Sequence, residues 1–275
     1  MNKELKLFQF EEYLKLEEKS GATCEKYLRD VRCFWTYLQG RDINKETTVA
    51  YKTYLTEHYA PASVNSMLTA LNGYLKFIHQ EKCCVKLLKI QRQLFAAEEK
   101  ELSRQEYQRL VRAAGNSRLS YVIQTICETG IRVSELQYIT VEAVRTGKAV
   151  VNCKGKTRVI FIPEKLQKLL GRYIKKSGLK TGTVFISRSG KTLNRGNIWR
   201  DMKGLCEKAQ VAAEKVFPHN LRHLFARIFY SMEKDIVRLA DLLGHSSIDT
   251  TRIYTIENGN QNIDRLNRVE QLLTT

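Results

Sequence analysis

The sequence predicts a mainly α-helical chain in two domains, interrupted once by a small antiparallel β-sheet. Three observations carry this. The 275 residues give room for two modest cores. Apolar residues recur over most of the chain at the 3.6-residue period of a helix. Gly 15 and Pro 3 are too few for the closely spaced turns of a β-sandwich or barrel. In the first domain, residues 1–95, one apolar stripe runs through Tyr27, Val31, Phe34, Trp35 and Leu38. A second holds Tyr51, Tyr54 and Leu55, and a third Val64, Met67, Leu68, Leu71, Leu75 and Ile78. Turn signals at 20–21, 40–42 and 60–61 separate them and give about four helices. The polar stretch that follows is expected to be a linker over 96–102, leaving 103–275 as the second domain. There Ser103 and Glu106 have the spacing of a capping box that opens a helix, and helices are expected to about 138. Residues 149–153 and 158–162 are then rich in β-formers. Lys154-Gly155-Lys156-Thr157 between them predicts a tight hairpin with a basic tip. Helical periodicity returns after Pro163, apart from a short strand expected at 183–186.

Charge is the unusual quantity. Lys+Arg 46 against Asp+Glu 29 gives +17, which points to a polyanionic partner, nucleic acid ahead of an anionic membrane. The excess is concentrated: residues 145–203 hold 16 basic and 2 acidic side chains, whereas 1–95 hold 15 and 11. Solubility alone would be served by interspersed signs, so the stretch reads as a binding face. Lys156, Arg158, Lys191, Arg195 and Arg200 are its nominated phosphate contacts. No stretch approaches the roughly 18 apolar residues of a spanning helix. The start, MNKELKLFQFEEY, lacks a signal peptide's apolar core, so a cytoplasmic, nucleoid-associated protein is expected, without a membrane partner. Seven cysteines without a Cys-x-x-Cys pair read as reduced thiols. His79, Cys83 and Cys84 read as structural rather than as metal ligands.

Three patches combine chemistry-bearing residues. In TGIRVSEL, Arg132 and Glu135 are three apart on a short helix, where the carboxylate can orient the guanidinium or form a surface pair of little worth. In PHNLRHLFA, Pro218 opens a helix whose buried stripe is Leu221, Leu224, Phe225 and Ile228. That leaves His219 and Arg222 together on another face. His219 and His223 have zinc-helix spacing, but Asn220 stands where a metalloprotease needs glutamate. The third patch, LLGHSSIDTTRIYT, sets His245 nine residues before Tyr254.

In this order and near these spacings, the three patches and the basic CKGKTR hairpin resemble the tyrosine recombinases of the phage integrase family, over about 103–255. The four-helix segment before them, with FEEYL and SGATCEKYLRDVRCFWTYL, is similar to that family's SAM-like core-binding domain. The resemblance implies a C-shaped clamp on duplex DNA, helical on one side and α+β on the other. Its site would hold Arg132, Lys154, His219, Arg222 and His245 around the nucleophile Tyr254. Two always-charged guanidiniums suit a pentacoordinate phosphate. His219 is the candidate base for a phenol of pKa about 10. Lys154 on the hairpin tip is the candidate acid for the departing 5′ oxygen. The hairpin is one residue shorter than the common form, so Lys156 is the alternative. His245 would donate to the phosphate, Glu135 would hold the constellation, and His223 is left structural. Leu224 stands where many members carry Ser or Thr. The resemblance further implies a 3′-phosphotyrosyl intermediate, no cofactor, no metal and no nucleotide. Ile263, Leu266, Val269 and Leu273 would form the apolar face of a terminal helix that docks on a neighbour, giving a tetramer on two DNA sites. The rival readings are a type IB topoisomerase and a DNA-binding accessory protein without turnover.

Overall fold

Caps decide where the helices begin. This computed structural model describes residues 3–90, 101–153, 156–187, 189–245 and 247–254, with the backbone alone for Lys3, Cys153 and Lys156. The chain divides into two compact units, Met1–Arg92 and Gln93–Thr275. In the first, α1 (Lys3–Leu16) is followed by α2 (Gly21–Leu38), which starts where the Ser20 side chain accepts from the Thr23 N–H. A reciprocal Asn44–Thr47 box opens α3 (Lys45–His58), and Pro61 occupies the first turn of α4 (Pro61–Phe77). Leu7, Phe10, Leu14, Leu28, Val31 and Tyr74 form one core cluster. Phe34, Leu38, Tyr51, Leu55, Leu68 and Leu75 form the other. Tyr54, expected in a buried stripe, is 37% exposed because it lies at the edge, against Tyr37 and His58. Beyond the short 3-10 helix Glu81–Cys83, Asn72 and Asn65 each pair both ways with the backbone of Val85 and Leu88 and so pin the extended chain.

In the second unit, Ser103 and Glu106 make the predicted capping box at the start of α5 (Arg104–Ala114). Glu101 and Leu102, expected in the linker, pack instead into this unit. Leu102 is buried, Arg227 pairs with the Glu101 carboxylate, and the Leu102 carbonyl accepts from Arg227 Nη2 at 2.6 Å. Then come α6 (Arg118–Thr129) and a 3-10 helix at Val133–Tyr138. Next is α7 (Val141–Thr146), a six-residue helix too short to show a period in the sequence. The hairpin is β1 (Lys148–Cys153) against β2 (Lys156–Phe161), antiparallel, in register from Lys148↔Phe161 to Cys153↔Lys156. Lys156 and Thr157, expected in the turn, therefore belong to the ladder.

α8 (Glu164–Lys176) buries Leu166, Leu170 and Ile174 and turns Lys165, Lys168 and Arg172 outward. The strand expected at 183–186 is reduced to single bridges, Thr140↔Thr183 and Ile186↔Thr192, since neither partner runs alongside for more than one residue. The remaining elements are α9 (Arg195–Lys203), α10 (Cys206–Ala209), α11 (Pro218–Glu233), α12 (Ile236–Leu243), α13 (Ile248–Thr251) and a 3-10 turn, Arg252–Tyr254. α11 lies between α6 and α12, so it is buried on two sides and its core set is Leu221, Arg222, Leu224 and Ala226. Ile228, expected in the stripe, is 39% exposed. Among the described residues, no helix is long and apolar enough to cross a membrane.

Candidate active site

The site is built where four segments of the second unit converge. α6 ends at Gly130, whose φ of +64° suits glycine, and a Cβ there would meet Phe225 at 2.5 Å. The chain can therefore turn tightly against α11 and present Arg132 as the cap of the next 3-10 helix. Arg132 Nη1 donates to Glu135 Oε1 at 3.0 Å, and its backbone N–H donates to Oε2, also at 3.0 Å. Glu135 is 1% exposed, so this is a buried anchor and not a surface pair. Burial alone would raise the Glu135 carboxyl. The Arg132 N–H and the Arg158 guanidinium overcome that and hold it below the usual carboxylate range.

Arg222 is more deeply placed than a shared face with His219 suggests. Its side chain is buried, with Nη1 donating to the Gly130 carbonyl at 2.6 Å and Nη2 to the Leu243 carbonyl at 2.7 Å. Nη2 also meets His245 Nε2 at 3.0 Å. A guanidinium can only donate, so His245 Nε2 accepts; Nδ1 then carries the proton and donates to Thr251 Oγ1 at 2.8 Å. In this state His245 has no proton to offer a phosphate through Nε2, so the donation expected of it requires a second proton or the other tautomer. Burial, then Arg222 and Arg132, push His245 down to about 4.

Tyr254 lies at the end of its 3-10 turn, 4% exposed, packed with Ala226, Leu239 and Leu243. Its ring stacks at 6.0 Å from His245 and meets the His223 ring edge-on at 4.8 Å. Burial raises its hydroxyl above the ordinary phenol value, against the pull of the nearby Arg222 and Arg132 guanidiniums. His219, at the exposed rim, stands edge-on to His223 at 4.4 Å. Partial burial, then Arg222, Arg132 and Arg195, hold it below the ordinary histidine value. His223, set aside as structural, thus stands between the candidate base and the candidate nucleophile, with Nε2 buried and unpartnered.

Lys154 lies outside the described residues, as does the expected terminal helix at 262–273. Lys191, Arg195 and Arg200 are exposed, and α9 adds half-exposed Trp199 with Lys203 at 5.4 Å from its ring. Arg158, nominated as a phosphate contact, is turned inward onto Glu135. Strand alternation contained that signal: Arg158 pairs with buried Val151 and shares its face with buried Ile160, whereas Val159 is 42% exposed. Thr251 and the Gly130 and Leu243 carbonyls, which hold His245 and Arg222, were missed. Carbonyl roles leave no trace in a side-chain pattern.

The histidines predict a pH response. Unfolded, each titrates near 6.5, whereas His223 and His245 are both pushed down to about 4 in the fold, chiefly by burial. Between these values protons bind the unfolded chain alone. Stability is therefore full above about pH 6.5 and declines as pH falls toward 4. Melting temperatures across that range should show the decline, and His223→Asn/His245→Asn should flatten it.

A helical unit followed by a mixed unit, with two arginines, histidines and a tyrosine gathered in the second, defines a class. Residues 100–261 match the phage integrase family and residues 7–82 its N-terminal SAM-like domain. The chain belongs to that family; it is a tyrosine recombinase, a DNA-breaking and rejoining enzyme that acts in site-specific recombination. It is 30% identical to tyrosine recombinase XerA of Thermococcus kodakarensis, over 90% of this chain and 89% of that one. It is 27% identical to XerD of Halalkalibacterium halodurans, over 90% and 92%. Among solved structures, XerA recombinase aligns at 25% identity with a TM-score of 0.54, over 97% of this chain and 98% of that one. A λ integrase(75–356) dimer bound to a COC′ core site shares the fold at 18% identity with a TM-score of 0.74, over 92% and 95%.

Proposed function

We propose that Tyr254 attacks a scissile phosphodiester in double-stranded DNA, forming a 3′-phosphotyrosyl ester and releasing a 5′ hydroxyl that a second strand end later replaces. The observation that carries this is the convergence of Arg132, Arg222 and His245 on one buried phenol. Arg222 has donors left after binding its carbonyls, and Arg132 is 41% exposed, so both can bind non-bridging oxygens as charge builds. His219 takes the phenolic proton, relayed past His223, and Lys154, with Lys156 as the alternative, protonates the leaving oxygen. The ester conserves the energy of the broken bond, so the reaction needs neither nucleotide nor metal. The test is incubation with nicked DNA from the regions flanking its own gene, read on a denaturing gel. A covalent shift that maps to Tyr254 by mass spectrometry supports the reading. Relaxation of any supercoiled plasmid without preferred sites would favour a topoisomerase, and binding without covalent product an accessory protein.

Affinity should fall steeply with salt, by about 0.9 in log Kd per log salt for each phosphate contacted. Arg200→Ala and Lys191→Ala should each remove about one such contact and leave cleavage of bound DNA unchanged. Unchanged slopes in salt titrations would remove Arg200 of α9 and Lys191 ahead of it from the interface.

The active assembly is a tetramer on two DNA sites, and residues 262–273 dock on a neighbouring copy. An apolar groove floored by Tyr107, Phe225 and Phe229, with Ile228 and 75%-exposed Met232 at its lip, is the seat such a segment would fill. Deleting residues 262–275 should spare binding to one site and abolish two-duplex complexes on a native gel.

A further inference from the structure

Arg158 joins three segments that the sequence holds apart. Its side chain is 13% exposed, with Nη2 donating to Glu135 Oε2 at 2.6 Å and Nη1 to the Leu242 carbonyl at the end of α12. Its stem lies against Gly244, where a Cβ would come within 2.3 Å of Arg158 Cδ. The same Glu135 holds Arg132 Nη1, and Arg132 Nη2 donates to the Gly244 carbonyl at 3.3 Å. One buried carboxylate thus serves two guanidiniums, and both grip the turn that leads into His245.

We propose that Arg158 is a positioning residue for DNA cleavage: it holds Glu135 and the Leu242–Gly244 turn so that Arg132 keeps its free donors pointed at the scissile phosphate. This rests on the cleavage reading given above. Alone with Glu135, Arg132 would face a buried carboxylate with one cationic partner, and the pull would draw its guanidinium inward as a fork. With Arg158 present the carboxylate is shared. The trio carries a net single positive charge, and Arg132 is bound by one Nη to Glu135 and by the other to a carbonyl, with hydrogens to spare. Arg158 itself is 13% exposed, and its unpartnered Nε is buried, so little of it faces solvent where DNA would lie.

The experiment compares wild type with Arg158→Met, Arg158→Lys and Gly244→Ala in full-length protein. Rates of covalent complex formation are measured on nicked DNA with an ordinary scissile phosphate and with an uncharged methylphosphonate. Salt dependence of binding and melting temperature are read beside them. Arg158→Met should slow cleavage of bound DNA by about 10²-fold, the scale of misplacing a catalytic group by an ångström. Its salt slope should match wild type. The defect should shrink several-fold on the methylphosphonate, whose lost charge no longer needs Arg132. Gly244→Ala, which displaces the Arg158 stem while keeping its charge, should give the same signature, and Arg158→Lys should recover part of the rate. A salt slope lowered by about 0.9 with normal cleavage of bound DNA would make Arg158 a phosphate contact and overturn the proposal. An equal defect on both substrates that tracks the melting temperature would make the role merely structural and also overturn it. Absence of covalent product from wild type would sink the cleavage reading first, and this inference with it.

Discussion

Tyr254→Phe will bind the recombination site as wild type does and form no covalent product. The substitution removes one oxygen from a ring packed on Ala226, Leu239 and Leu243, so the apolar contacts that seat the turn persist. What disappears is the hydroxyl proposed to attack phosphorus, which the Arg222 and Arg132 charges favour as an anion. Because burial holds this hydroxyl above the ordinary phenol value, the free enzyme keeps it protonated, and the proposed attack would need a base and two guanidiniums acting together. A denaturing gel with nicked DNA reads the outcome. A shifted band from Tyr254→Phe would transfer the nucleophile to another residue. A large loss of binding would mean the hydroxyl holds the fold rather than the chemistry.

Arg222→Ala should produce the second-largest effect, and on two readouts at once. The transition-state phosphate loses a preorganised cationic donor, costing about 3 kcal/mol or more, a rate loss of about 10²–10³-fold. The fold also loses a buried side chain whose donors satisfy the Gly130 and Leu243 carbonyls and His245 Nε2. Each stranded acceptor costs about 1–3 kcal/mol, so the melting temperature should fall as well. Arg222→Lys separates the two effects. One ammonium keeps the charge but cannot span acceptors arranged for a fork, so stability should be partly restored and cleavage scarcely. Recovery of near-normal cleavage by Arg222→Lys would mean that charge alone suffices.

Much of this was legible in the residues, for identifiable reasons. Ser103 with Glu106, and Pro218 ahead of its helix, are local signals that need no tertiary partner, and both elements begin where those residues place them. α7 was missed because six residues are too few to display a period. The hairpin turn was read too long because Lys156 and Thr157 look like turn residues yet pair across the ladder. Ile228 was assigned to the core by spacing alone, but α11 is buried on two sides and turns its later residues toward a groove. Arg158 shows a different failure: its charge in a basic stretch suggests a DNA contact, whereas its strand position already assigns it to the inner face.

The near-complete burial of Tyr254 bears on how the enzyme avoids damaging the genome it works on. A phenol 4% exposed is hidden from dissolved electrophiles and equally from any passing backbone phosphate. Reagents that nitrate or iodinate tyrosine should mark Tyr59, 46% exposed, long before Tyr254. Under the cleavage reading, a backbone phosphate must reach a hydroxyl that is covered in the free protein. Concealment of this kind would place restraint before chemistry: the choice of where to cut would begin with which DNA can uncover the tyrosine.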